Sequence, residues 1–267
     1  MGADIKKLRV RIKSVDSTLH LTKAMGLVAS SKMRKATESM LNGREYADAV
    51  NLTVNMLAGI NECKKSPYMQ KREENRTKII VIAGDRGLAG GYNANVFRLV
   101  SQQENAELIP IGKRACERFG SDVVLAENYS FESAISLSRR LCEEFKNGEY
   151  DRLAIISTKY VSLLSQEATI ENLLPIDDSN AVSVPGAIFE PDEITVLGDA
   201  VPEYVAGIII SKVKESFLSE VAARRTAMDS AGKNATQMID DLKIEYNRAR
   251  QGAITQEITE IVAGAGK

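Results

Sequence analysis

The sequence predicts an α/β protein in which long N- and C-terminal helices form an antiparallel two-helix coiled coil and flank a central Rossmann-like α/β domain. Three observations support this. All six prolines lie between residues 67 and 202, so both ends lack the residue that breaks helices. The N-terminal segment carries a heptad repeat, and the middle alternates strand-like with helix-like segments. We therefore divide the chain into an N-terminal helix at 1–66, an α/β domain at 67–202 and a C-terminal helix at 203–267.

The N-terminal segment has a long uncharged seam. Alternate steps of three and four residues reach sixteen successive positions without Lys, Arg, Asp or Glu, namely Ile5, Leu8, Ile12, Val15, Leu19, Thr22, Gly26, Ala29, Met33, Ala36, Met40, Gly43, Ala47, Val50, Val54 and Leu57. A heptad pattern sustained in this way is typical of a coiled coil. At 1.5 Å per residue the helix would be about 85 Å long, so we expect it to project from the domain. The small seam residues predict a close approach of the partner helix.

The C-terminal segment supplies the expected partner. Its predicted seam runs through Val221, Met228, Ala231, Ala235, Met238, Leu242 and Ala249. Arg224 and Glu245 interrupt this seam, although Tyr246 can replace Glu245. The last stretch, Ile254 to Ala265, ends in apolar and small residues and has no counterpart at the N-terminus. We therefore expect it to meet a hydrophobic surface of another molecule.

The middle of the chain reads as strands joined by crossover helices. Strands are predicted at 78–83, 107–112, 123–126 and 153–158, and helices at 94–103, 114–119 and 131–145. This alternation is typical of a parallel sheet. Two further β-prone segments, at 168–175 and 187–196, are predicted to add antiparallel edges.

A glycine-rich stretch, GDRGLAGGYN at 84–93, follows the first predicted strand. Its glycines fit neither the dinucleotide fingerprint nor the phosphate-loop pattern, which needs a following Lys. We interpret it as a tight turn with Asn93 or Asn95 near the helix cap. Exposed Arg86 would then contact a protein partner.

The composition also excludes several classes of function. One histidine, His20, and three separated cysteines provide no zinc site, and no nucleophile–base–acid set stands out, so we expect no catalytic residues, metal or cofactor. The charged N-terminus resembles no secretory signal. The first 66 residues carry 12 Lys and Arg against 6 Asp and Glu. This basic end could meet nucleic acid, anionic lipid or an acidic protein surface. Nucleic acid is the weakest of these, because no aromatic residues interleave with the charges.

Three stretches resemble the gamma subunit of F-type ATP synthases: LTKAMGLVASSKMRKA at 21–36, GDRGLAGG at 84–91, and EVAARRTAMDSAGKNA with YNRARQGAITQEITEIVAGA near the C-terminus. The resemblance implies a non-catalytic rotor, a central stalk that turns inside the ring of alpha and beta subunits. It would couple transmembrane proton or other ion flow to ATP synthesis or hydrolysis in the beta subunits. The implied partners also include the epsilon subunit and the membrane c-ring.

The resemblance further implies which residues contact those partners. Met25 and the basic Lys23, Lys32, Arg34 and Lys35 would face acidic loops of beta. A second group would make polar contacts with the ring: Arg86, Arg250, Gln251 and Thr255. Glu190 and Asp192 would lie near the foot of the stalk.

A peripheral location on the cytoplasmic side of the bacterial inner membrane is expected, with partners holding the chain there. Two alternatives stay open at this point. The chain could be a self-associating coiled-coil scaffold, or a nucleotide-dependent enzyme built on the glycine loop.

Overall fold

The computed structural model describes residues 2–73, 75–103, 105–182 and 186–265. The chain divides into two compact units, one formed by residues 1–30 with 224–267 and the other by residues 31–223. The first helix, α1 (Gly2–Ala58), and the last, α5 (Glu193–Ala265), each contribute to both units. The termini therefore form the long helices that the proline distribution predicts.

In the first unit, the two long helices run antiparallel and pack along the predicted seam. Leu19 packs against Ala235 and Ile239. A Cβ added to Gly26 would lie 3.7 Å from the Cβ of Met228. Position numbers rise along α1 as they fall along α5, which confirms the antiparallel coiled coil.

One position of the predicted C-terminal seam is wrong. Met238 is 44% exposed, whereas its neighbour Ile239 is buried against Leu19. The two residues are adjacent and similarly apolar, so the heptad count alone could not choose between them. Tyr246, and not Glu245, is the half-buried residue of its pair. All sixteen predicted seam positions of α1 are buried or half-buried.

The second unit contains packing between α1 and α5 and an α/β domain. Ala36 and Met40 of α1 pack with Leu218 of α5. Four strands form one sheet: β1 (Thr77–Ile82), β2 (Ala106–Ile111), β3 (Arg152–Tyr160) and β4 (Gln166–Leu174). Their order is β2-β1-β3-β4, with the first three parallel and β4 antiparallel to β3.

Helices cover both faces of this sheet. They are α2 (Tyr92–Val100), α3 (Lys113–Phe119) and α4 (Phe131–Lys146), and a 3-10 turn spans Glu62–Lys65. Because side chains alternate along a strand, Ile80 and Ile82 join the core with α1, α4 and α5. Ile79 and Val81 join a second core with α2 and α3. The arrangement is a three-layer α/β sandwich.

Two predicted strands are absent from the described chain. Residues 123–126 are irregular, and only one backbone hydrogen bond, from Gly112 N–H to the Val124 carbonyl (2.8 Å), links them to the end of β2. The segment 187–196 is also not a strand, because α5 already begins at Glu193. Apolar β-prone residues form a strand only where a partner strand lies beside them.

The start of α5 is set by Asp192. Its carboxylate accepts hydrogen bonds from the Thr195 backbone N–H (2.9 Å) and hydroxyl (2.7 Å), and these bonds hold its pKa below the usual range. Pro202 therefore lies inside the helix, where it removes one backbone hydrogen bond. Its neighbours Val201 and Val205 are fully buried. Their burial, about 1.5–3 kcal/mol each, offsets a proline penalty of about 3 kcal/mol.

The apolar part of α5 contributes to the core of the second unit. Among the described helices, α5 is long and apolar enough to cross a membrane by length and composition, with a mean hydropathy of 1.4 over 18 residues of which 39% are buried. Core helices pass the same test, so this is weak evidence for a span. Leu197, Val205 and Ile209 are buried in the core of the second unit, which accounts for the composition.

The three cysteines should react slowly with a thiol reagent such as DTNB at pH 8. All are free and buried. Burial raises the pKa of Cys142 to about 12, and burial with the nearby Glu193 charge raises that of Cys63 to about 11. Because the thiolate is the reactive form, native protein should release little chromophore, while denatured protein should release three equivalents. Rapid release from the native chain would contradict the packing.

Leucine at Gly207 should lower the free energy of unfolding by about 1–3 kcal/mol. A Cβ there would lie 3.1 Å from the Tyr46 ring and 3.6 Å from the Ala47 Cα. The matched control is Gly252→Ala, where an added Cβ meets nothing within 4 Å. In an exposed helix this control should gain about 0.5–1 kcal/mol. Urea unfolding followed by circular dichroism compares the two, and equal stabilities would contradict the close helix pairing.

Candidate functional site

The glycine loop at 84–91 follows β1 at the carboxyl edge of the sheet. The chain leaves β1 for β2 on one side and later crosses back to β3 on the other, so the loop lies at a topological switch point. Open α/β sheets bind ligands at this place. The loop is therefore where a nucleotide site has to be looked for.

A carboxylate of the same chain occupies the loop. The Glu220 side chain, from α5, accepts hydrogen bonds from the backbone N–H groups of Asp85 (3.2 Å) and Arg86 (3.2 Å). Glu220 is only 1% exposed. A Cβ on Gly84 would lie 2.8 Å from the Glu220 Cδ, so this approach requires glycine. Backbone amides of the kind that bind phosphate in other proteins here donate to a carboxylate of the same chain.

The loop is also held by Asp85. Its buried carboxylate accepts hydrogen bonds from the backbone N–H groups of Lys113 (3.0 Å), Ala126 (2.9 Å) and Glu127 (2.8 Å). Three such bonds compensate the desolvation of a buried charge. Asp85 thereby ties the loop to the start of α3 and to the irregular segment before α4.

Asn93 lies in the first turn of α2, as predicted, but does not cap that helix. Its side-chain oxygen accepts the Gly84 N–H (2.9 Å). The loop is thus closed by one more internal hydrogen bond.

The structure brings two predicted contact residues together. Glu127 pairs through one oxygen with Lys32 of α1 and through the other with Arg86 (3.3 Å). Lys32 is half-buried, and Glu127 and Arg86 are exposed. Lys32 and Arg86 therefore lie beside the same carboxylate.

The polar face of α5 lines the same edge of the sheet. Tyr92 donates its hydroxyl hydrogen to the Ser216 carbonyl (2.9 Å), and the Ser216 hydroxyl accepts the Thr158 N–H (3.0 Å). Ser219 donates to the Thr158 carbonyl (3.2 Å). Burial and the nearby Glu220 charge raise the pKa of Tyr92, so its phenol stays protonated. Side chains of α5 thus fill the usual ligand crevice.

The other residues assigned to ring contacts lie on exposed helix surfaces. On α1, Lys23, Arg34 and Lys35 are exposed, and Met25 is half-buried. On α5, the exposed residues are Arg250, Gln251 and Thr255. The Thr255 hydroxyl donates to the Gln251 carbonyl one turn earlier (3.0 Å).

The end of α5 carries an uncovered apolar stripe, which we call the tail stripe: Ile254, Ile258, Ile261 and Val262. These side chains are 47–67% exposed. Their spacing places them on one face of the helix. The predicted unmatched apolar end is thus present as an exposed helical surface.

The two residues assigned to the foot differ in their surroundings. Glu190 is exposed and precedes Pro191. Asp192 is exposed as well, but its carboxylate is engaged at the start of α5. Asp192 therefore has a structural task within the chain.

Sequence reasoning missed Glu127 and Glu220. Glu220 bonds to residues about 135 positions away, and Glu127 to Arg86 41 positions away, so no local pattern links them. Asp85 could have been noticed, because a buried acid in a glycine turn needs several N–H donors.

Comparison with known proteins agrees with this geometry. The family described as ATP synthase matches residues 4–266. The sodium-ion-specific ATP synthase gamma chain of Acetobacterium woodii is 37% identical, covering 99% of both chains. The gamma chain of Ruminococcus albus is 39% identical, covering 97% of this chain and 96% of the relative.

The fold recurs in a solved assembly. A chain in the Euglena gracilis mitochondrial ATP synthase (OSCP/F1/c-ring, rotational state 3) superposes with a TM-score of 0.68 at 19% identity, covering 98% of this chain and 94% of that one. With the near full-length matches in sequence, these findings show that the chain belongs to the ATP synthase gamma-chain family.

Proposed function

We propose that this gamma chain couples rotation to catalysis through two sets of residues at its surface, most of them exposed. One is the basic face: Lys23, Lys32, Arg34 and Lys35 of α1, together with Arg86. The other is the tail stripe of α5, with Arg250, Gln251 and Thr255 beside it. Membership of the family makes the chain the central-stalk rotor of F-type ATP synthase, a non-catalytic subunit that couples ion flow to ATP synthesis or hydrolysis.

The observation that carries the proposal is the occupied glycine loop. Glu220 uses the amides that a nucleotide phosphate would need, and α5 fills the crevice beside them. This disfavours the nucleotide-dependent enzyme and supports an arrangement in which the beta subunits carry out the chemistry. The chain's work is then mechanical.

A rotor needs an asymmetric surface. Conformational change in a ring subunit follows only if the shaft binds its open and closed forms with different free energies. Two unlike helices meet this requirement, because α1 exposes basic side chains where α5 exposes a polar face and an apolar end. Each beta subunit would meet a different face of the shaft in turn.

The basic face suits an acidic partner loop. Arg34 and Lys35 are exposed, while Lys32 and Arg86 already share Glu127. An acidic loop of a beta subunit would therefore bind Arg34 and Lys35 directly and compete with Glu127 for the other two cations. Met25, half-buried on α1, offers an adaptable apolar contact.

The α/β domain, assigned to residues 67–202, suits the foot of the stalk. There it would meet the epsilon subunit and the c-ring, with Glu190 and Asp192 near that contact. The chain would then lie on the cytoplasmic side of the bacterial inner membrane, held peripherally by its partners.

Mixing the wild-type chain with alpha and beta subunits should restore ATPase activity to the ring. No gain in ATPase activity would refute the proposed rotor function.

Charge reversal at Arg34 and Lys35 should weaken the coupling of the assembled complex. Arg34→Glu with Lys35→Glu leaves the Lys32–Glu127 pair intact, so the free chain should keep its unfolding midpoint. ATP-driven ion pumping per ATP hydrolysed should fall severalfold, because four units of charge change against an acidic surface. The matched control is Arg98→Glu with Lys146→Glu, both exposed on the α/β domain. Equal pumping by the two double variants would contradict the basic face.

Aspartate at Ile258 and Ile261 should impair assembly while sparing the free chain. Both side chains are more than half exposed, so the free energy of unfolding should change by less than about 0.5 kcal/mol. In the complex, two charges would lie against the hydrophobic surface that the tail stripe is proposed to meet, and we expect affinity for the alpha/beta ring to fall at least tenfold. Gel filtration and ATPase titration measure this. The control, Gln256→Asp with Ala263→Asp, places two charges at exposed positions on the opposite face of the helix and should assemble normally; equal loss in both variants would argue against the stripe.

A further inference from the structure

The loop and Glu220 form a complete anion-binding arrangement. Two consecutive backbone N–H groups, of Asp85 and Arg86, are directed at the two oxygens of one carboxylate, each at 3.2 Å. Consecutive amides that converge in this way form a concavity that prefers an anion. The glycine at 84 leaves the space that the carboxylate occupies. The ligand of this concavity is covalently part of α5.

Loss of the Glu220 carboxylate would leave polar groups without partners. Glu220 is 1% exposed, so water has little access to the two amides as long as the fold is intact. A buried N–H without an acceptor is costly. A vacated position of this size, lined by two N–H groups, has the chemistry of a site for a small carboxylate such as acetate.

The same arrangement connects α5 to the exposed cation Arg86. Glu220 holds the Arg86 backbone, and Asp85 holds the Glu127 backbone through its N–H (2.8 Å). Glu127 in turn pairs with the Arg86 side chain. A displacement of Glu220 would therefore move the loop that presents Arg86.

We propose that Glu220 is a positioning residue: a built-in anion that fills the backbone nest of the glycine loop and so sets the place of Arg86 relative to α5. Removing the carboxylate creates a site that a free acetate ion fills. The role assigned to Arg86 rests on the proposed function, whereas the acetate site does not.

The test compares Glu220→Ala with Glu215→Ala in the full-length chain. Glu215 is a matched control because it is also buried on α5, but it accepts from the Tyr160 N–H (3.3 Å) and pairs with Arg44 (3.1 Å), away from the loop. Both variants should lower the melting temperature by roughly 5–10 °C. Sodium acetate, compared with sodium chloride at equal ionic strength, should recover about half of the loss for Glu220→Ala and none for Glu215→Ala.

Amide NMR signals locate the effect. In Glu220→Ala, acetate should shift the signals of Asp85 and Arg86 in a saturable way, and the wild type should show no such change. Equal recovery of both variants, no recovery of either, or shifts elsewhere would overturn the acetate site.

A conservative variant covers the case in which Glu220→Ala does not fold. Glu220→Gln keeps one acceptor oxygen but places an NH₂ group against the second amide. Hydrogen exchange at the Asp85 and Arg86 amides should then rise about tenfold over wild type, and unchanged exchange would overturn the proposal.

The positioning role of Glu220 is tested in the assembled complex. Pumping per ATP hydrolysed should fall in Glu220→Ala and recover partly with acetate; a complex that pumps normally without acetate would overturn this role. Failure of the wild-type chain to restore ATPase activity would instead refute the proposed function, and the acetate experiment on the free chain would still stand or fall by itself.

Discussion

The pairing of the first helix with the last is the constraint on which the other features depend. Sixteen seam positions of α1 carry no charge, and several are glycine or alanine, so the backbones approach closely where Gly26 meets Met228 and where Gly207 meets Ala47. Small residues bury little apolar area, and the pairing gains its stability from length instead. Because the seam positions carry no charge, the basic residues of α1 lie on its other faces. The same packing that stabilises the coil therefore exposes the charges.

A purely apolar interface between α5 and the sheet could slide with little change in energy. The structure instead places hydroxyl groups and carboxylates on this face of α5. Ser216 and Ser219 exchange hydrogen bonds with Thr158, and Glu215 accepts the Tyr160 N–H. Buried polar groups add little net stability, but shifting the helix by one residue would leave each of them unpaired. The polar face thus defines a single position of α5 on the α/β domain, which a part that transmits torque requires.

The sequence predicted the structure well where a residue pattern repeats along the chain. It predicted poorly the contacts between residues that lie far apart in the sequence. The seam of α1 and the three parallel strands followed from periodicity, since burial imposes the same spacing many times. Single residues were harder: Met238 and Ile239 are equally apolar, and only the packing against Leu19 separates them. The segments at 123–126 and 187–196 have strand-like composition but no partner strand. Asp192, three residues before Thr195, was a recognisable signal for the start of a helix. The prediction began the helix after Pro202 instead, because proline disfavours helix interiors.

The glycine loop shows why a local motif does not decide a function. A glycine-rich turn after a parallel strand presents free amides at the edge of a sheet, and those amides attract whatever anion is available. In a nucleotide-binding protein the anion is the phosphate of a ligand that binds and dissociates. Here the anion is Glu220, about 135 residues further along the chain, and it cannot leave while the protein is folded. The same turn then holds two elements together permanently, so the difference between an enzyme loop and a mechanical joint lies in the residue that faces it.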